Sequence, residues 1–311
     1  MSCNKENMQN ITLNDNEKWN FLDTTEIIDL KETLFSGQIF NFHKTDLEEF
    51  TGTIYFFVIS FKQVNQKVLY KILHTKINSE ELILFFIKKF FNLNLSYKDI
   101  LKDIDVTGLR LITNSLIPTI FSFICSANNN VKRITKMVNY MYSKGEFACS
   151  YKKIDFFYFP DISRLLDCEH DFKENGFGYR ARYICKTADL LKNDKLFAEI
   201  NKYDVDILQF KKVKNNLNIN LIKNLLIKLP GIGFKVRDCI CLMSLECFEI
   251  VPIDTHILKY ARHIFNLENN VLLTKISYNK IQSKFIEKFG KYAGIYQLFI
   301  FKKYLEKKII N

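Results

Sequence analysis

Residues 229–256 read LPGIGFKVRDCICLMSLECFEIVPIDTH, and this stretch largely decides how the chain can fold. Two apolar runs, at 221–228 and 236–245, flank a turn that contains Pro230, Gly231 and Gly233. Proline and two glycines between apolar runs predict a tight turn between two helices. Such a turn lets backbone N–H groups at the start of the second helix face an anion such as a phosphate. The alternative is an ordinary helical hairpin whose glycines serve only the turn.

The composition describes a folded, basic protein. The 311 residues carry a formal net charge of +11, and 48% of them are hydrophobic. That hydrophobic fraction is too high for a disordered chain. The positive charge suits a polyanion such as nucleic acid, although it could also serve solubility alone. The longest fully apolar run, at 54–59, is far shorter than the ~20 residues of a spanning helix, so we expect a soluble intracellular protein without membrane contact.

Eight cysteines are scattered through the chain, and they form no C-x-x-C pair. This pattern is typical of reduced thiols in a reducing compartment, most of them buried as small apolar side chains. The spacing fits no tetrahedral zinc site. We therefore expect no metal site.

The first third of the chain predicts a sheet. Residues 52–62 and 67–75 are rich in β-branched and aromatic side chains, and the polar segment 63–66 between them predicts a hairpin. A helix is predicted over 79–92, because Ser79 can cap its start, two glutamates follow, and its end is basic.

From about residue 109 onward the pattern predicts helices, one opening near Pro118 and another over 131–144. Residues 211–220 predict a loop that leads into a helix. Strands followed by helices indicate an α+β fold, in which an N-terminal antiparallel sheet layer packs on a mainly helical body. The expected organisation is a loose tail over 1–20, a sheet domain over 21–112 and a helical body over 113–311, with the helix-hairpin-helix at 221–246.

A second element, Val251-Pro252-Ile253-Asp254-Thr255-His256, follows the hairpin. The hairpin and this Pro-x-Asp element together resemble the helix-hairpin-helix and Gly/Pro-Asp element of the DNA glycosylase superfamily, and the pair is far more specific than either half. The resemblance implies DNA contacts for Gly231, Gly233 and His256. A lone histidine is otherwise more often a packing residue.

Lys235 and Asp254 are the residues of this stretch that can carry chemistry. A lysine amine can attack C1′ of a deoxyribose, expel the base and leave a Schiff base, which then permits β-elimination and a strand break. Lys235 stands at a predicted helix start, where the helix dipole and partial burial would lower its pKa. The alternative is a solvated surface lysine. Asp254 predicts a helix N-cap, and its carboxylate could also stabilise charge on the sugar.

Four further segments resemble the eukaryotic 8-oxoguanine DNA glycosylase/AP lyase family and occur in the family's order. They are FSGQIF (35–40), ICSANNNVKRI (124–134), GFGYRARY (176–183) and YAGIYQLFIF (292–301). The resemblance spans roughly residues 30 to 302. It implies a monomeric repair enzyme that acts on 8-oxoguanine, and on formamidopyrimidine-guanine, opposite cytosine in duplex DNA. It also implies a nuclear location, with mitochondria as an additional site.

The resemblance implies that four residues contact the duplex after the damaged base has flipped out. Base flipping leaves a gap and an orphaned cytosine. Asn128 would fill the gap, Tyr179 would wedge the duplex, and Arg133 with Arg180 would bond the cytosine. The alternatives are a helix cap for Asn128 and a solvated helix face for Arg133.

Four more residues would read the damaged base. The carbonyl of Gly37 would accept the N7–H that 8-oxoguanine has and guanine lacks, and the missing Cβ would let the backbone approach. Gln297 and Phe301 are four apart and share a helix face, which suits an amide at the edge and a ring on the face of one heterocycle. Cys239 shares the face of Lys235 and could stack on the other side. The alternative for Gly37 is a glycine that serves only the turn, and the alternative for Phe301 is packing in the core.

The sequence departs from the family pattern at two places. Tyr304 stands where the family has an aspartate that supports His256, so this support is in doubt here. Asn41-Phe42 stand where the family has Arg-Trp. Some superfamily members bind an iron–sulfur cluster through four late cysteines. None follows Cys247 here, so we expect no cluster. Two alternatives remain: a non-catalytic DNA-binding module that kept the hairpin, and a glycosylase for another damaged base.

Overall fold

The computed structural model describes residues 11–12, 19–102, 104–208, 218–268 and 272–305. The predicted tail over 1–20 and the predicted loop over 211–220 lie largely outside these residues. In the described part of the chain, no helix is long and apolar enough to cross a membrane. The division into domains at residue 112 stays a prediction.

An antiparallel sheet forms the N-terminal layer, as predicted. Its strands are β1 (Ile11–Thr12), β2 (Asn20–Phe21), β3 (Phe42–Asp46), β4 (Glu49–Ile54), β5 (Phe57–Val64) and β6 (Lys67–Thr75). They lie in the order β3–β4–β5–β6, and β1 and β2 both pair with the outer edge of β6. Two short stretches of the predicted tail region therefore lie on the sheet edge.

The prediction of a single strand over 52–62 is wrong, because the chain reverses inside this segment. Tyr55 adopts a left-handed backbone conformation with φ 47°, and β4 and β5 pair on either side of it. The Tyr55 ring lies 4.5 Å from the ring of Phe86, and its hydroxyl donates to the carbonyl of Thr113 at 2.8 Å. These tertiary contacts fix a turn that no glycine, proline or asparagine marks in the sequence.

The helices make up most of the remaining chain. They are α1 (Leu30–Leu34), α2 (Glu80–Phe90), α3 (Tyr97–Ile100), α4 (Leu116–Ser126), α5 (Val131–Tyr142), α6 (Glu169–Glu174), α7 (Arg180–Asn193), α8 (Ala198–Leu208), α9 (Ile219–Leu226), α10 (Phe234–Ser244), α11 (Thr255–Ile264), α12 (Lys275–Phe289) and α13 (Ala293–Leu305). Short 3-10 turns lie at Ile162–Leu165, Lys195–Phe197 and Gly290–Tyr292.

Helix α2 covers one face of the sheet and confirms the predicted helix over 79–92. The Ser79 hydroxyl accepts a hydrogen bond from the backbone N–H of Leu82 at 3.3 Å, so the predicted cap is present. Phe86 and Phe90 of α2 are buried against sheet residues that include Phe61. Burial of these rings stabilises the layer, since large aromatic side chains contribute most to such cores.

A short antiparallel ribbon that the sequence did not predict interrupts the helical body. It consists of β7 (Phe147–Tyr151) and β8 (Ile154–Phe157). The ribbon reaches the N-terminal sheet, where the carbonyl of Phe157 accepts from the Thr53 hydroxyl at 3.0 Å. A register shift between Phe147 and Cys149 interrupts the alternation of buried and exposed residues in β7, so no period-two pattern marks this strand.

Helix α4 is the centre of the helical body. It is buried on most of its surface and packs against α5, α7, α8 and α10. An apolar helix surrounded in this way is expected in the interior of a helical domain. Its contact with α10 fixes the helix that carries Lys235.

Candidate active site

A cavity of about 670 Å³ opens at the junction of the sheet layer and the helical body. Residues from six separate parts of the chain form its walls. The predicted site residues that line it are Gly37, Asn128, Lys235, Cys239, Asp254, His256, Gln297 and Phe301. The fold therefore brings together the proposed nucleophile, the proposed carboxylate and the base-reading residues. Lining residues that sequence reasoning missed include Gln38, Phe123, Met243, Pro252 and Leu273.

The predicted helix-hairpin-helix is present as α9, a turn and α10. Gly231 in this turn has φ +82°, and a Cβ there would lie 2.8 Å from Cδ2 of Tyr183, so that both conformation and space require glycine. Gly233 is the N-cap of α10, and a Cβ on it would meet nothing within 4 Å. The turn therefore exposes its second glycine at a helix N-terminus, which is a suitable place for a phosphate.

Lys235 is the second residue of α10, and its side chain is partly buried in the cavity wall. Its ammonium nitrogen lies 5.9 Å from the ring centre of Phe123 and is hydrogen-bonded to Cys239. Contrary to the prediction, the pKa of Lys235 is raised, because Cys239 and, more weakly, Asp254 favour the ammonium by more than burial disfavours it. The prediction is wrong since it considered only burial and the helix dipole.

Asp254 caps α11, as predicted. Its Oδ1 atom accepts hydrogen bonds from the backbone N–H groups of His256 and Ile257, each at 2.9 Å. The same carboxylate acts on the charge of Lys235 across the cavity. Asp254 therefore combines a structural role with a position from which it can stabilise positive charge.

The turn that contains Gly37 forms the wall on the side of the sheet layer. Gly37 has φ +85°, and a Cβ there would meet only Val131 at 3.8 Å, so glycine is required by backbone conformation rather than by crowding. Gln38 is buried, and its amide nitrogen donates to the Ser36 hydroxyl at 2.8 Å and to the Arg110 carbonyl at 2.9 Å. Its amide oxygen accepts from the backbone N–H of Ile112 at 2.9 Å. These bonds hold the Gly37 turn in place.

Helix α13 supplies another wall of the cavity. Gln297 and Phe301 both face the cavity, which confirms that they share a helix face. The ring of His256 meets the Phe301 ring edge-on at 5.8 Å. Tyr304 has its side chain outside the described part of the structure, so the departure from the family pattern at that position stays untested.

A second surface lies beside the cavity, where the turn between α4 and α5 meets the start of α7. Asn128 adopts φ 48° and is not a helix cap, since Asn130 caps α5 instead. Tyr179 is 50% exposed, and its hydroxyl donates to the carbonyl of Ala127 at 3.2 Å. Neither Tyr179 nor Arg133 is among the residues that line the cavity.

Both predicted cytosine-binding arginines are bonded to main-chain carbonyls. Arg180 is only 2% exposed and donates to the carbonyls of Ala127 and Asn128, the latter at 2.9 Å. Arg133 is exposed and donates to the carbonyl of Gly176 at 2.7 Å. Contacts between these side chains and an orphaned base would replace these bonds. The two arginines also tie together the two turns that carry Asn128 and Tyr179.

Comparisons with known proteins agree with this geometry. A family model described as 8-oxoguanine DNA glycosylase, N-terminal domain, matches residues 21–113. The N-glycosylase/DNA lyase OGG1 of Arabidopsis thaliana is 30% identical over 91% of this chain and 80% of that protein. The N-glycosylase/DNA lyase of Saccharomyces cerevisiae is 30% identical over 69% of this chain and 65% of that protein.

Among solved structures, the 8-oxoguanine glycosylase/lyase of Clostridium acetobutylicum bound to DNA superimposes with a TM-score of 0.73 at 25% identity. The match covers 94% of this chain and 99% of that one. Agreement over nearly the whole length includes both the sheet layer and the helical body. Together with the extent of the Arabidopsis match, these findings establish that the chain belongs to the eukaryotic 8-oxoguanine DNA glycosylase/lyase family.

Proposed function

We propose that this protein excises 8-oxoguanine opposite cytosine from duplex DNA and then nicks the strand, with Lys235 as the nucleophile. One observation carries the proposal. A single cavity holds the Lys235 amine, the Asp254 carboxylate and the flat-ring binding pair Gln297 and Phe301. Formamidopyrimidine-guanine is a second substrate of the same pocket.

The reaction begins when the damaged nucleotide leaves the stack and enters the cavity. Nζ of Lys235 attacks C1′ of the deoxyribose, and the bond from C1′ to the base breaks. Of the three ammonium protons, one leaves with the base, one goes to the ring oxygen as the sugar opens, and one stays on the Schiff base. Loss of the C2′ proton then breaks the C3′–O bond, and the strand is cut.

The raised pKa of Lys235 means that the free protein holds an ammonium, which is not nucleophilic. The bound nucleoside excludes water from the cavity and increases the desolvation of the charge, which favours the neutral amine. Asp254 lies close enough to act on this charge and can receive a proton. As positive charge develops on the sugar, the same carboxylate stabilises it.

Recognition of the base uses the walls on either side of the nucleophile. The Gly37 carbonyl accepts the N7–H of 8-oxoguanine and repels the N7 lone pair of guanine. Gln297 bonds the Watson–Crick edge, while Phe301 and Cys239 contact the two faces of the ring. This set favours an oxidised guanine over other damaged bases.

Duplex DNA binds across the surface around the cavity, and the net charge of +11 on the chain favours this polyanion. The hairpin residues Gly231 and Gly233 present backbone N–H groups to a phosphate, and His256 donates to another. The surface of Asn128, Arg133, Tyr179 and Arg180 faces the gap and the orphaned cytosine. The protein acts as a monomer in the nucleus and needs no metal for this chemistry.

Borohydride trapping tests the proposal, because borohydride reduces the Schiff base to a stable covalent adduct. The wild-type protein should give an adduct with a duplex that contains 8-oxoguanine opposite cytosine. The adduct should vanish in Lys235→Gln and persist in Lys228→Gln, which removes an exposed lysine on the other side of the same hairpin. A duplex set with each of the four opposite bases measures the preference for cytosine.

A non-catalytic DNA-binding module is the main rival, and it gives a different result. Such a module would bind the duplex without forming any adduct with any variant. A glycosylase for another damaged base would form an adduct with a preformed abasic site but would leave 8-oxoguanine in place. Either outcome would overturn the proposal.

A further inference from the structure

Asp238 is a buried carboxylate that the proposed mechanism does not use. It lies on α10, three residues after Lys235, and is fully buried. A carboxylate in the interior is costly unless it is paired and hydrogen-bonded. Its Oδ1 atom is paired with the Arg237 guanidinium at 2.7 Å.

The Oδ2 atom of Asp238 binds two side chains of α12. The Tyr278 hydroxyl donates to it at 2.8 Å, and the Gln282 amide nitrogen donates to it at 2.8 Å. Burial raises the pKa of the Tyr278 hydroxyl, so it stays protonated and able to donate. Asp238 therefore joins α10, the helix of the nucleophile, to α12.

The same two side chains also hold the segment that leads to Asp254. The backbone N–H of Ile253 donates to the Tyr278 hydroxyl at 3.1 Å. The Gln282 amide nitrogen also donates to the carbonyl of Val251 at 3.2 Å. The two bonds lie on either side of Pro252, which has no N–H of its own to donate. Asp254 follows directly, so its position depends on how this segment is fixed.

We propose that Asp238, Tyr278 and Gln282 form a positioning clamp that sets the separation between Lys235 and Asp254. The proposal rests on the proposed function, because it assigns both residues to the reaction. None of the three clamp residues is among the described residues that line the cavity. The clamp acts through the backbone: it connects α10, which carries the nucleophile, to the segment 251–253, which carries the carboxylate.

Rigid positioning of this kind has a large effect on rate. Attack requires the amine and the sugar carbon in near-contact geometry, and a misplacement of about 1 Å can cost about 100-fold. None of the three clamp side chains lines the cavity, so none of them contacts a nucleotide bound there. Loss of the clamp should therefore slow chemistry without weakening the complex.

The decisive variant is Tyr278→Phe, which removes one hydroxyl and keeps the ring. Asp238 keeps its bonds to Arg237 and Gln282, so the fold should persist. The matched control is Tyr203→Phe, which removes another buried hydroxyl of the helical body, one that donates to the Ser244 carbonyl at 2.9 Å. Gln282→Met is a second test of the clamp, should Tyr278→Phe fail to fold.

Two measurements separate positioning from general stability. The first is the single-turnover rate of borohydride trapping on a duplex with 8-oxoguanine opposite cytosine. The second is the Kd for a duplex with a tetrahydrofuran abasic-site analogue, which cannot be cleaved. Tyr278→Phe and Gln282→Met should lower the trapping rate about 10- to 100-fold and leave Kd unchanged, whereas Tyr203→Phe should change neither.

The clamp would be refuted if Tyr278→Phe and Gln282→Met trapped as fast as the Tyr203→Phe control, or if Kd rose and the rate stayed constant. These outcomes differ from a failure of the proposed function. In that case the wild-type protein itself would give no adduct.

Discussion

Replacement of Gln38 by methionine should separate base excision from strand nicking. Gln38 makes three hydrogen bonds: a partly buried one to Ser36, and two buried ones, to the Arg110 carbonyl and from the N–H of Ile112. Methionine is of similar length and makes none of them. The turn that carries the Gly37 carbonyl would lose its fixed position, and the carbonyl would no longer meet the N7–H of the lesion.

The size of the effect follows from the energy of one buried polar contact. The contact that reads the lesion is worth about 1–3 kcal/mol, which corresponds to an excision rate about 5- to 150-fold lower. A preformed abasic site carries no base, so its nicking does not need the Gly37 carbonyl and should proceed at the wild-type rate. The buried N–H of Ile112 and carbonyl of Arg110 would also lose partners, at about 1–3 kcal/mol each, so the assays should be run well below the melting temperature.

The assay compares single-turnover excision from an 8-oxoguanine:cytosine duplex with nicking of an abasic-site duplex. Gln63→Met is the control, because Gln63 makes three side-chain hydrogen bonds to the main chain in the sheet layer, is less buried than Gln38 and does not line the cavity. Equal losses of excision and nicking in Gln38→Met would refute the reasoning, as would excision at the wild-type rate.

Two further predictions concern the charged groups of the cavity. Because Cys239 is the main cause of the raised pKa of Lys235, Cys239→Ala should lower that pKa. The neutral amine would then form at lower pH, so the rising limb of the rate–pH profile for abasic-site nicking should move to lower pH; a limb that stays in place would contradict this. Asp254→Asn should keep the cap of α11, whereas Asp254→Ala should lose about 1 kcal/mol of stability. Both variants should trap more slowly, because both lack the carboxylate charge. Equal melting temperatures for the two variants would count against a capping role of Asp254.

Local signals in the sequence predicted the central motif well. The sequence predicts its helices at 221–228 and 236–245, and they lie at Ile219–Leu226 and Phe234–Ser244. Proline and glycine mark the turn because their backbone restrictions act within a few residues. The cap by Asp254 is equally local, since a cap and its acceptors lie within one turn of helix.

Signals that depend on distant residues were missed. The turn at Tyr55 is held by contacts with Phe86 and Thr113, which no local pattern shows. The raised pKa of Lys235 arises because the electrostatic effects of Cys239 and Asp254 outweigh the effect of burial. That balance depends on distances that only the three-dimensional structure gives. The buried state of Arg180, bonded to carbonyls more than fifty residues away in the chain, could not be inferred from its motif.

The sequence by itself determined the hairpin and the α+β class, because short-range periodicity and turn residues carry that information. Its motifs also resemble the family, and through that resemblance they named eight of the residues that line the cavity. Tertiary structure alone decided which charge Lys235 holds in the free protein and how its separation from Asp254 is maintained. The charge depends on Cys239, on Asp254 and on burial of the amine. The separation depends on Asp238 and Tyr278, which are forty residues apart in the chain and meet in the core. Electrostatic and hydrogen-bond energies depend on distance in space and on burial, and neither quantity can be read from the amino-acid sequence.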